Sequence, residues 1–162
     1  MCDILIVVGG GNMDNDFELL LLKNQLCFPT YATANKITRR YGPLLKELNL
    51  TYTQYIVMMV MWEHKKINEK KLVELLYLQS NTLAPLLKKL EQKGFIELEH
   101  GKSDKRTLEI SITKKGEELR KKAVSVPKTL REESWLTEEE AEVYKKLLYK
   151  ILNEGKELKD DN

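Results

Sequence analysis

Apolar residues near the start of the chain recur at about the spacing of one helix face, at Leu19, Leu22, Leu26, Tyr31 and Ala34. This spacing predicts one long helix over about 17–41. Pro29 can kink that helix, because proline removes a backbone donor and crowds the preceding turn. Gly42-Pro43 is expected to end it, and Pro43 can begin a short helix over 44–48.

The middle of the chain predicts three further helices. A run too apolar for a surface helix opens at Thr51, so this helix should be buried. Asn68 is the expected N-cap of a short helix, and Ser80 or Asn81 is the expected cap of the next one. Gly94 should end this last helix as a C′ glycine.

The pattern then changes from helical to alternating. Two runs alternate between apolar and polar residues around a polar loop that contains glycine, 95–99 and 107–112. Such runs predict a β-hairpin. The rest of the chain has helical patterns over about 113–133 and 138–157, and Thr137 with Glu140 forms a capping-box signature before the last helix.

The order helix, helix, helix, hairpin is the outline of a winged helix-turn-helix. The predicted fold class is mostly α with a small β-hairpin, a winged helix-turn-helix with N- and C-terminal dimerisation helices. The outer helices are too amphipathic to stand alone, so they should pair with a second copy of the chain. We predict a single structural unit with four parts. They are a loose N-terminal tail (1–16), N-terminal dimerisation and sensing helices (17–50), a winged helix-turn-helix DNA-binding lobe (51–112) and C-terminal dimerisation helices (113–162).

Composition favours a globular protein. The 162 residues are 42% hydrophobic and 32% charged, which is enough apolar material for a core. No run reaches the roughly 18 apolar residues that a transmembrane helix needs. The only cysteines are Cys2 and Cys27, too few for a disulfide scaffold, so a reducing, cytoplasmic location is expected.

The formal net charge of +2 is unevenly distributed. Residues 1–63 carry 5 basic and 6 acidic side chains, and residues 113–162 carry 12 of each. Residues 64–112 carry 10 basic and 7 acidic side chains, a net charge of +3. Because Lys and Arg neutralise phosphates in DNA complexes, this excess lies where a DNA-binding lobe needs it.

Five short segments are specific in their order and spacing: NQLCF at 24–28, YGPLL at 41–45, LTYTQY at 50–55, TLAPLLKKLE at 82–91 and DKR at 104–106. Together they resemble the MarR family of bacterial winged-helix regulators, and more closely its organic hydroperoxide sensor (OhrR-like) branch. The resemblance covers about residues 17–158. It implies a homodimeric transcriptional regulator, a repressor, that binds double-stranded DNA at a near-palindromic operator.

Cys27 is the candidate redox sensor. A cysteine on an apolar helix face is, by itself, more often a small buried hydrophobe. Tyr31 lies four residues later on the same predicted face, and a tyrosine hydroxyl can donate a hydrogen bond that favours the thiolate, the form that attacks peroxides. The resemblance adds Tyr41 and Tyr52, which match family tyrosines that reach the cysteine across the dimer interface.

The resemblance also implies the chemistry of the switch. An organic hydroperoxide would oxidise Cys27 to a sulfenic acid. No cysteine follows Cys27, which resembles the one-cysteine subtype, whose sulfenate is capped by a small cellular thiol. Cys2 does not match a family position.

The helix that ends at Gly94 is the candidate recognition helix. Its N-terminal residues should face base edges in the major groove, at Ser80, Asn81, Thr82 and Pro85. Ser80 or Asn81 could instead serve only as a cap, and Pro85 could simply be tolerated in the first turn. Lys88 and Lys89 lie about one turn further, where they suit phosphates.

The wing should add minor-groove contacts. The resemblance implies that Arg106 enters the groove and that Asp104 orients this arginine. The family wing usually has more arginine, whereas this chain has Glu97, Glu99 and His100 there, which weakens the expectation of strong wing binding.

Two other functions stay open. A regulator of the same fold could respond to a small-molecule ligand or to another oxidant, with Cys27 not the primary switch. A thiol peroxidase would need an activating cation, and Arg39 lies three turns from Cys27, so no enzyme is expected. No cofactor, metal site or membrane partner is expected, since His64 and His100 lack the further ligands that zinc needs.

Overall fold

A computed structural model describes residues 13–101 and 107–154. This part of the chain is mostly helical with one three-stranded antiparallel sheet, which confirms the predicted fold class. Two 3-10 helices come first, Met13–Leu20 and Leu22–Asn24. The further elements are, in chain order, α1 (Cys27–Glu47), α2 (Tyr52–His64), β1 (Lys66–Asn68), α3 (Glu69–Leu76), α4 (Ser80–Gln92), β2 (Ile96–His100), β3 (Leu108–Ile112), α5 (Lys114–Ala123), α6 (Ser125–Glu132) and α7 (Glu138–Asn153).

Helix α1 begins later and runs further than the apolar spacing predicts. The prediction of one helix over 17–41 is wrong, because 3-10 turns come first and α1 begins only at Cys27. Pro29 is the third residue of α1, where a missing backbone N–H costs no intrahelical hydrogen bond. The predicted break at Gly42-Pro43 is also wrong, since α1 continues through Pro43 and residues 44–47 are its last turn.

The true end of α1 is a Schellman turn. Asn49 adopts a left-handed φ of 55°. Its N–H donates to the carbonyl of Lys46, and the N–H of Leu50 donates to the carbonyl of Leu45, each at 3.0 Å. Leu45, Leu48 and Leu50 are buried, so packing holds the last turns and offsets the hydrogen bond that Pro43 cannot make.

Three predicted helix ends are confirmed. Thr51 caps α2 in a capping box with Gln54, and α2 is buried as expected. Asn68 caps α3 by accepting the N–H of Lys71 at 2.8 Å. Gly94 follows the end of α4 with a φ of 73°, a conformation that favours glycine.

The predicted hairpin is also confirmed. Strands β2 and β3 pair antiparallel, with Ile96 opposite Ile112. Strand β1 was not predicted, because three residues are too few to show an alternating pattern. It pairs with β3, with Ile67 opposite Ile110, and gives the sheet order β1-β3-β2.

The predicted helix over 113–133 is two helices, α5 and α6. Pro127 lies in the first turn of α6 and has no N–H to donate to the carbonyl of Ala123, so the first helix cannot continue regularly. The chain divides into two units between Val126 and Pro127.

The second unit is described over residues 127–154. Its main element, α7, begins with the predicted capping box, in which Thr137 and Glu140 exchange hydrogen bonds at 2.9 and 3.2 Å. The predicted end of this helix at 157 lies outside the described residues. Helix α7 has no buried residue within the described part of the chain, although Val143, Leu147 and Ile151 recur along it.

The core of the first unit surrounds α2. Side chains with 0% exposure come from three helices and the sheet: Val57, Met58, Met61, Leu72, Leu83, Leu87, Leu90 and Ile110. At the edge of this core, the indole N–H of Trp62 donates to the carbonyl of Gly116 at 2.9 Å. A Cβ at Gly116 would overlap the carbonyl oxygen of Phe95, so only glycine allows α5 to approach this closely.

We expect Gly116→Ala to destabilise the protein by about 1–3 kcal/mol, because the new methyl group forces backbone apart. Alanine is normally favoured over glycine in a helix by about 0.8–1.0 kcal/mol. A loss of stability therefore indicates steric overlap, whereas a gain indicates that helix propensity dominates. Chemical denaturation, followed by circular dichroism, measures the change.

Gly42→Ala is the matched control. Gly42 also lies inside a helix, but nothing stands within 4 Å of a Cβ built there. This variant should be neutral or more stable. If both variants change stability in the same direction, the close approach at Gly116 is not what restricts the residue there.

Candidate functional site

Helix α4 presents one face to the core and the other to solvent. Leu83, Leu87 and Leu90 are fully buried, which fixes the rotation of the helix. The six residues predicted to contact DNA on this helix are all exposed: Ser80, Asn81, Thr82, Pro85, Lys88 and Lys89. Pro85 lies in the first two turns, on the same outward side as Lys88 and Lys89. The face therefore combines small polar groups at its N-terminal end with two cations one turn later.

The start of α4 differs from the prediction. Neither Ser80 nor Asn81 is the N-cap, since both lie inside the helix and the N-cap is Gln79, whose side chain makes no capping hydrogen bond. The Thr82 hydroxyl donates to the Asn81 side chain at 3.4 Å. The side chains of Ser80, Asn81 and Thr82 are therefore exposed, and none of them is the N-cap.

Gln79 is a candidate contact that the sequence analysis missed. It is exposed and directly precedes Ser80. A glutamine amide can form two hydrogen bonds with an adenine edge. Glutamine is not among the preferred capping residues, so sequence alone gave no reason to place it at the start of the helix.

The wing is partly described. Asp104 and Arg106 lie outside the described residues. Glu97, Glu99 and His100 are exposed on β2, and Glu99 stands directly opposite Glu109 of β3.

A lysine of the unpredicted strand compensates this pair of carboxylates. The Lys66 ammonium lies 2.5 Å from a carboxylate oxygen of Glu109. The hydrogen bond and charge of Glu109, with a smaller contribution from Glu99, raise the pKa of Lys66. Strand β1 therefore offsets part of the negative charge at the base of the wing.

Cys27 is a free, exposed thiol at the first position of α1. In the single chain the thiol is therefore not buried as a small hydrophobe. Tyr31 lies one turn along α1 and is 69% exposed. Free backbone N–H groups in a first helical turn favour negative charge, and exposure gives reactants access.

Tyr41 and Tyr52 form an aromatic cluster with Tyr55. The Tyr41 and Tyr52 rings meet edge to face with centroids 4.9 Å apart, and the Tyr41 and Tyr55 rings are 5.9 Å apart. Burial raises the pKa of Tyr41, and the neighbouring Tyr52 raises it further. Burial likewise raises the pKa of Tyr52, so both hydroxyls stay protonated and able to donate hydrogen bonds at neutral pH.

One chain does not bring all four predicted sensing residues together. Tyr41 follows Cys27 by fourteen positions in the same helix, a separation of roughly 21 Å at about 1.5 Å per residue. Tyr31 is beside Cys27, whereas Tyr41 and Tyr52 are beside each other. A complete site with all three tyrosines at the thiol requires a second copy of the chain.

The described residues show neither a metal-ligand cluster nor a membrane-spanning helix. They contain no group of three or more His, Cys, Asp or Glu side chains arranged to hold a metal ion. None of the helices in 13–101 and 107–154 is both long and apolar enough to cross a bilayer.

Comparison with known proteins identifies the family. A family model for the transcriptional regulator SarA/Rot matches residues 39–123. The organic hydroperoxide resistance transcriptional regulator of Bacillus subtilis (strain 168) is 42% identical over 140 residues, which are 86% of this chain and 95% of that protein.

Solved structures agree with these matches. Two structures of AbfR from Staphylococcus epidermidis, overoxidised AbfR bound to DNA and reduced AbfR bound to DNA, are each 32% identical to this chain. They cover 85% and 84% of it and 97% and 96% of their own chains, with TM-scores of 0.71 and 0.70. These relatives are regulators and not enzymes. The resemblance in the sequence is confirmed: the chain belongs to the SarA/Rot family of MarR-like, DNA-binding winged-helix transcriptional regulators.

Proposed function

We propose that this chain is a homodimeric repressor that leaves its operator when an organic hydroperoxide oxidises Cys27. The observation that carries the proposal is the exposed thiol at the start of α1, in a chain 42% identical to an organic hydroperoxide resistance regulator. That AbfR has been solved on DNA in reduced and overoxidised forms supports a redox-responsive member of this family.

DNA binding would use the outward face of α4. Its N-terminal side chains, with Thr82 at the centre, would meet base edges in the major groove, while Lys88 and Lys89 would lie against phosphates. Arg106 would enter the minor groove, oriented by Asp104. Two copies related by a two-fold axis would place two such helices about one DNA turn apart, on a near-palindromic site.

The dimer would form through the outer helices. Val143, Leu147 and Ile151 follow one another at four-residue spacing on α7, and each is between 48% and 60% exposed. At the other end of the chain, Phe17 and Phe28 are also exposed. Such apolar stripes bury their surface in obligate dimers, whose interfaces measure roughly 2,000–5,000 Å².

The switch would be a two-electron oxidation of sulfur. The Cys27 thiolate attacks the distal oxygen of the hydroperoxide, so an S–O bond forms and the O–O bond breaks. The leaving group is an alkoxide, which takes a proton and becomes the alcohol. The thiolate becomes a sulfenic acid. A small cellular thiol then condenses with it, forming an S–S bond and releasing water.

Oxidation would act on DNA binding through the tyrosines. In the dimer, Tyr31 of the same chain and Tyr41 and Tyr52 of the partner copy would donate hydrogen bonds to the thiolate. A bulkier oxidised sulfur would displace them and shift the dimer, moving the two α4 helices out of register with the groove.

The two lysines of α4 should bind DNA without reading its sequence. Lys88→Ala and Lys89→Ala should each reduce the slope of log K against log salt by about one, because each contact releases one counterion. Fluorescence anisotropy across a salt series measures the slope. Lys146→Ala, on α7, is the control and should leave it unchanged. If the slope is unchanged in both variants, these two lysines of α4 do not contact phosphates.

Thr82 should contribute to sequence recognition. Thr82→Ala should cost about 1–3 kcal/mol on the operator and little on scrambled DNA of equal length, since only base contacts distinguish the two. Competition binding with both duplexes gives the ratio. Equal losses on the two duplexes would mean that this face of α4 does not read bases.

The outer helices should hold the dimer together. Leu147→Glu places a charge in the apolar stripe of α7 and should produce monomers at micromolar concentration, with loss of operator binding. Lys145→Glu, two positions away and off the stripe, should remain dimeric. Sedimentation velocity separates the two cases. A stable, folded wild-type monomer at micromolar concentration would contradict both the dimer and the palindromic site.

Cys27 should be necessary for the response. Cys27→Ser should bind the operator but not be released by cumene hydroperoxide, while Cys2→Ser should respond like the wild type. Tyr41→Phe and Tyr52→Phe should bind DNA and react more slowly, since each loses a hydrogen bond to a charged group worth about 1.5–3 kcal/mol. Anisotropy with intact mass on the same samples gives binding and oxidation together.

The alternative is a ligand-responsive regulator of the same fold. This alternative is supported if Cys27→Ser is still released from DNA by hydroperoxide, because the response would then not require the Cys27 thiol.

A further inference from the structure

A buried polar link joins the end of α4 to the beginning of α2. Gln54 is 1% exposed and is the one buried polar side chain among the described residues. Its side-chain oxygen accepts a hydrogen bond from the backbone N–H of Thr51 at 3.2 Å. The same oxygen accepts one from the Lys93 ammonium at 2.9 Å. That ammonium also donates to the carbonyl of Asn49 at 2.6 Å.

One end of this link lies at the tyrosine cluster. Tyr52 is the first residue of α2 and stands between Thr51 and Gln54, inside the capping box that the link completes. Its ring packs edge to face against Tyr41 of α1. A displacement of Tyr52 that shifts its backbone would therefore act on the same helical turn that holds Gln54.

The other end of the link is the DNA-facing helix. Lys93 is the C-cap residue of α4 and directly precedes Gly94, where the helix ends. Lys88 and Lys89 lie in the preceding turn of the same helix. A positive charge at this end is favoured by the helix dipole, although burial and then repulsion from Lys89 lower the pKa of Lys93.

The geometry makes the two ends move together. If α4 shifts away from the turn between α1 and α2, the carbonyl of Asn49 and the Gln54 side chain both lose the Lys93 ammonium. Gln54 is buried, so its side-chain oxygen would lose a hydrogen-bond donor within the fold. The Lys93 side chain thus links α4 by hydrogen bonds to the turn that follows α1 and to the first turn of α2.

We infer that Lys93 and Gln54 are positioning residues that transmit the state of the Tyr41–Tyr52 pair to α4. This inference rests on the proposed function and adds the route by which the thiol would control DNA binding. Neither residue touches the thiol, and neither lies on the outward face of α4.

The chain offers a matched control at the same helix end. The Lys115 ammonium donates to the carbonyl of Lys93 at 2.6 Å, so it also holds the end of α4. It comes from α5 and packs over the Phe95 ring, 5.2 Å from its centroid. A general loosening of α4 would follow from losing either lysine, whereas of the two only Lys93 donates hydrogen bonds to Asn49 and Gln54.

The test measures the ratio of operator Kd after and before treatment of the full-length protein with cumene hydroperoxide. Lys93→Met should bind the operator normally when reduced, and its ratio should fall by about tenfold relative to wild type, within the usual range of coupling between sites. Lys93→Arg, which keeps the charge and the donors, and Lys115→Met should both keep the wild-type ratio. Intact mass confirms equal oxidation of Cys27, and thermal unfolding confirms the fold.

Gln54→Met tests the link from its other side, with a side chain of similar size, and decides the question if Lys93→Met does not fold. The inference is overturned if these variants respond like the wild type, or if Lys115→Met loses the response as fully as Lys93→Met. If peroxide treatment leaves the operator Kd of the wild-type protein unchanged, the proposed function itself is refuted, whatever the variants do.

Discussion

Burial of α2 is the constraint on which the rest of the first unit depends. Six of its thirteen residues are buried, and it packs against α1, α3, α4, α5, β1 and β3. Each fully buried apolar side chain contributes about 1.5–3 kcal/mol, so Val57, Met58 and Met61 alone outweigh any surface ion pair in the molecule. The orientation of α4 follows from this helix, because Leu83, Leu87 and Leu90 must face the core and the polar side chains must face outward.

The elements predicted correctly from sequence are those whose signal is local and strong. Thr51, Asn68 and Thr137 cap helices because their side chains accept hydrogen bonds from backbone N–H groups three residues away. The ends of α1 were mispredicted for the opposite reason. Pro43 is tolerated because Leu45 and Leu48 are buried against other elements, and a single-sequence pattern does not contain those partners. Strand β1 exists because β3 presents an edge to pair with, which its own three residues do not encode.

The candidate sites divide in the same way. Exposure of the α4 face could be predicted, since it is the complement of a leucine stripe with helical spacing. The N-cap at Gln79 could not, because the side chain makes no capping bond and leaves no signature. Tyr31 could be selected from its helical spacing to Cys27, whereas Tyr41 and Tyr52 could be selected only through a family resemblance. The structure places Tyr31 one turn from Cys27 in α1, and it places Tyr41 and Tyr52 in contact with each other.

The two described strands of the wing carry acidic side chains, so in the proposed complex the cations of α4 matter more than these strands. Glu99 and Glu109 face each other across the hairpin, and the Lys66 ammonium, paired with Glu109, offsets only part of their charge. Electrostatic attraction to DNA grows with the number of phosphates neutralised, so the described strands of the wing, β2 and β3, add little attraction of their own. A repressor built this way would depend on two α4 helices lying in register with the groove. Small displacements of α2, which supports α4 from within the core, would then suffice to lower affinity, and no part of the DNA-binding unit would have to unfold.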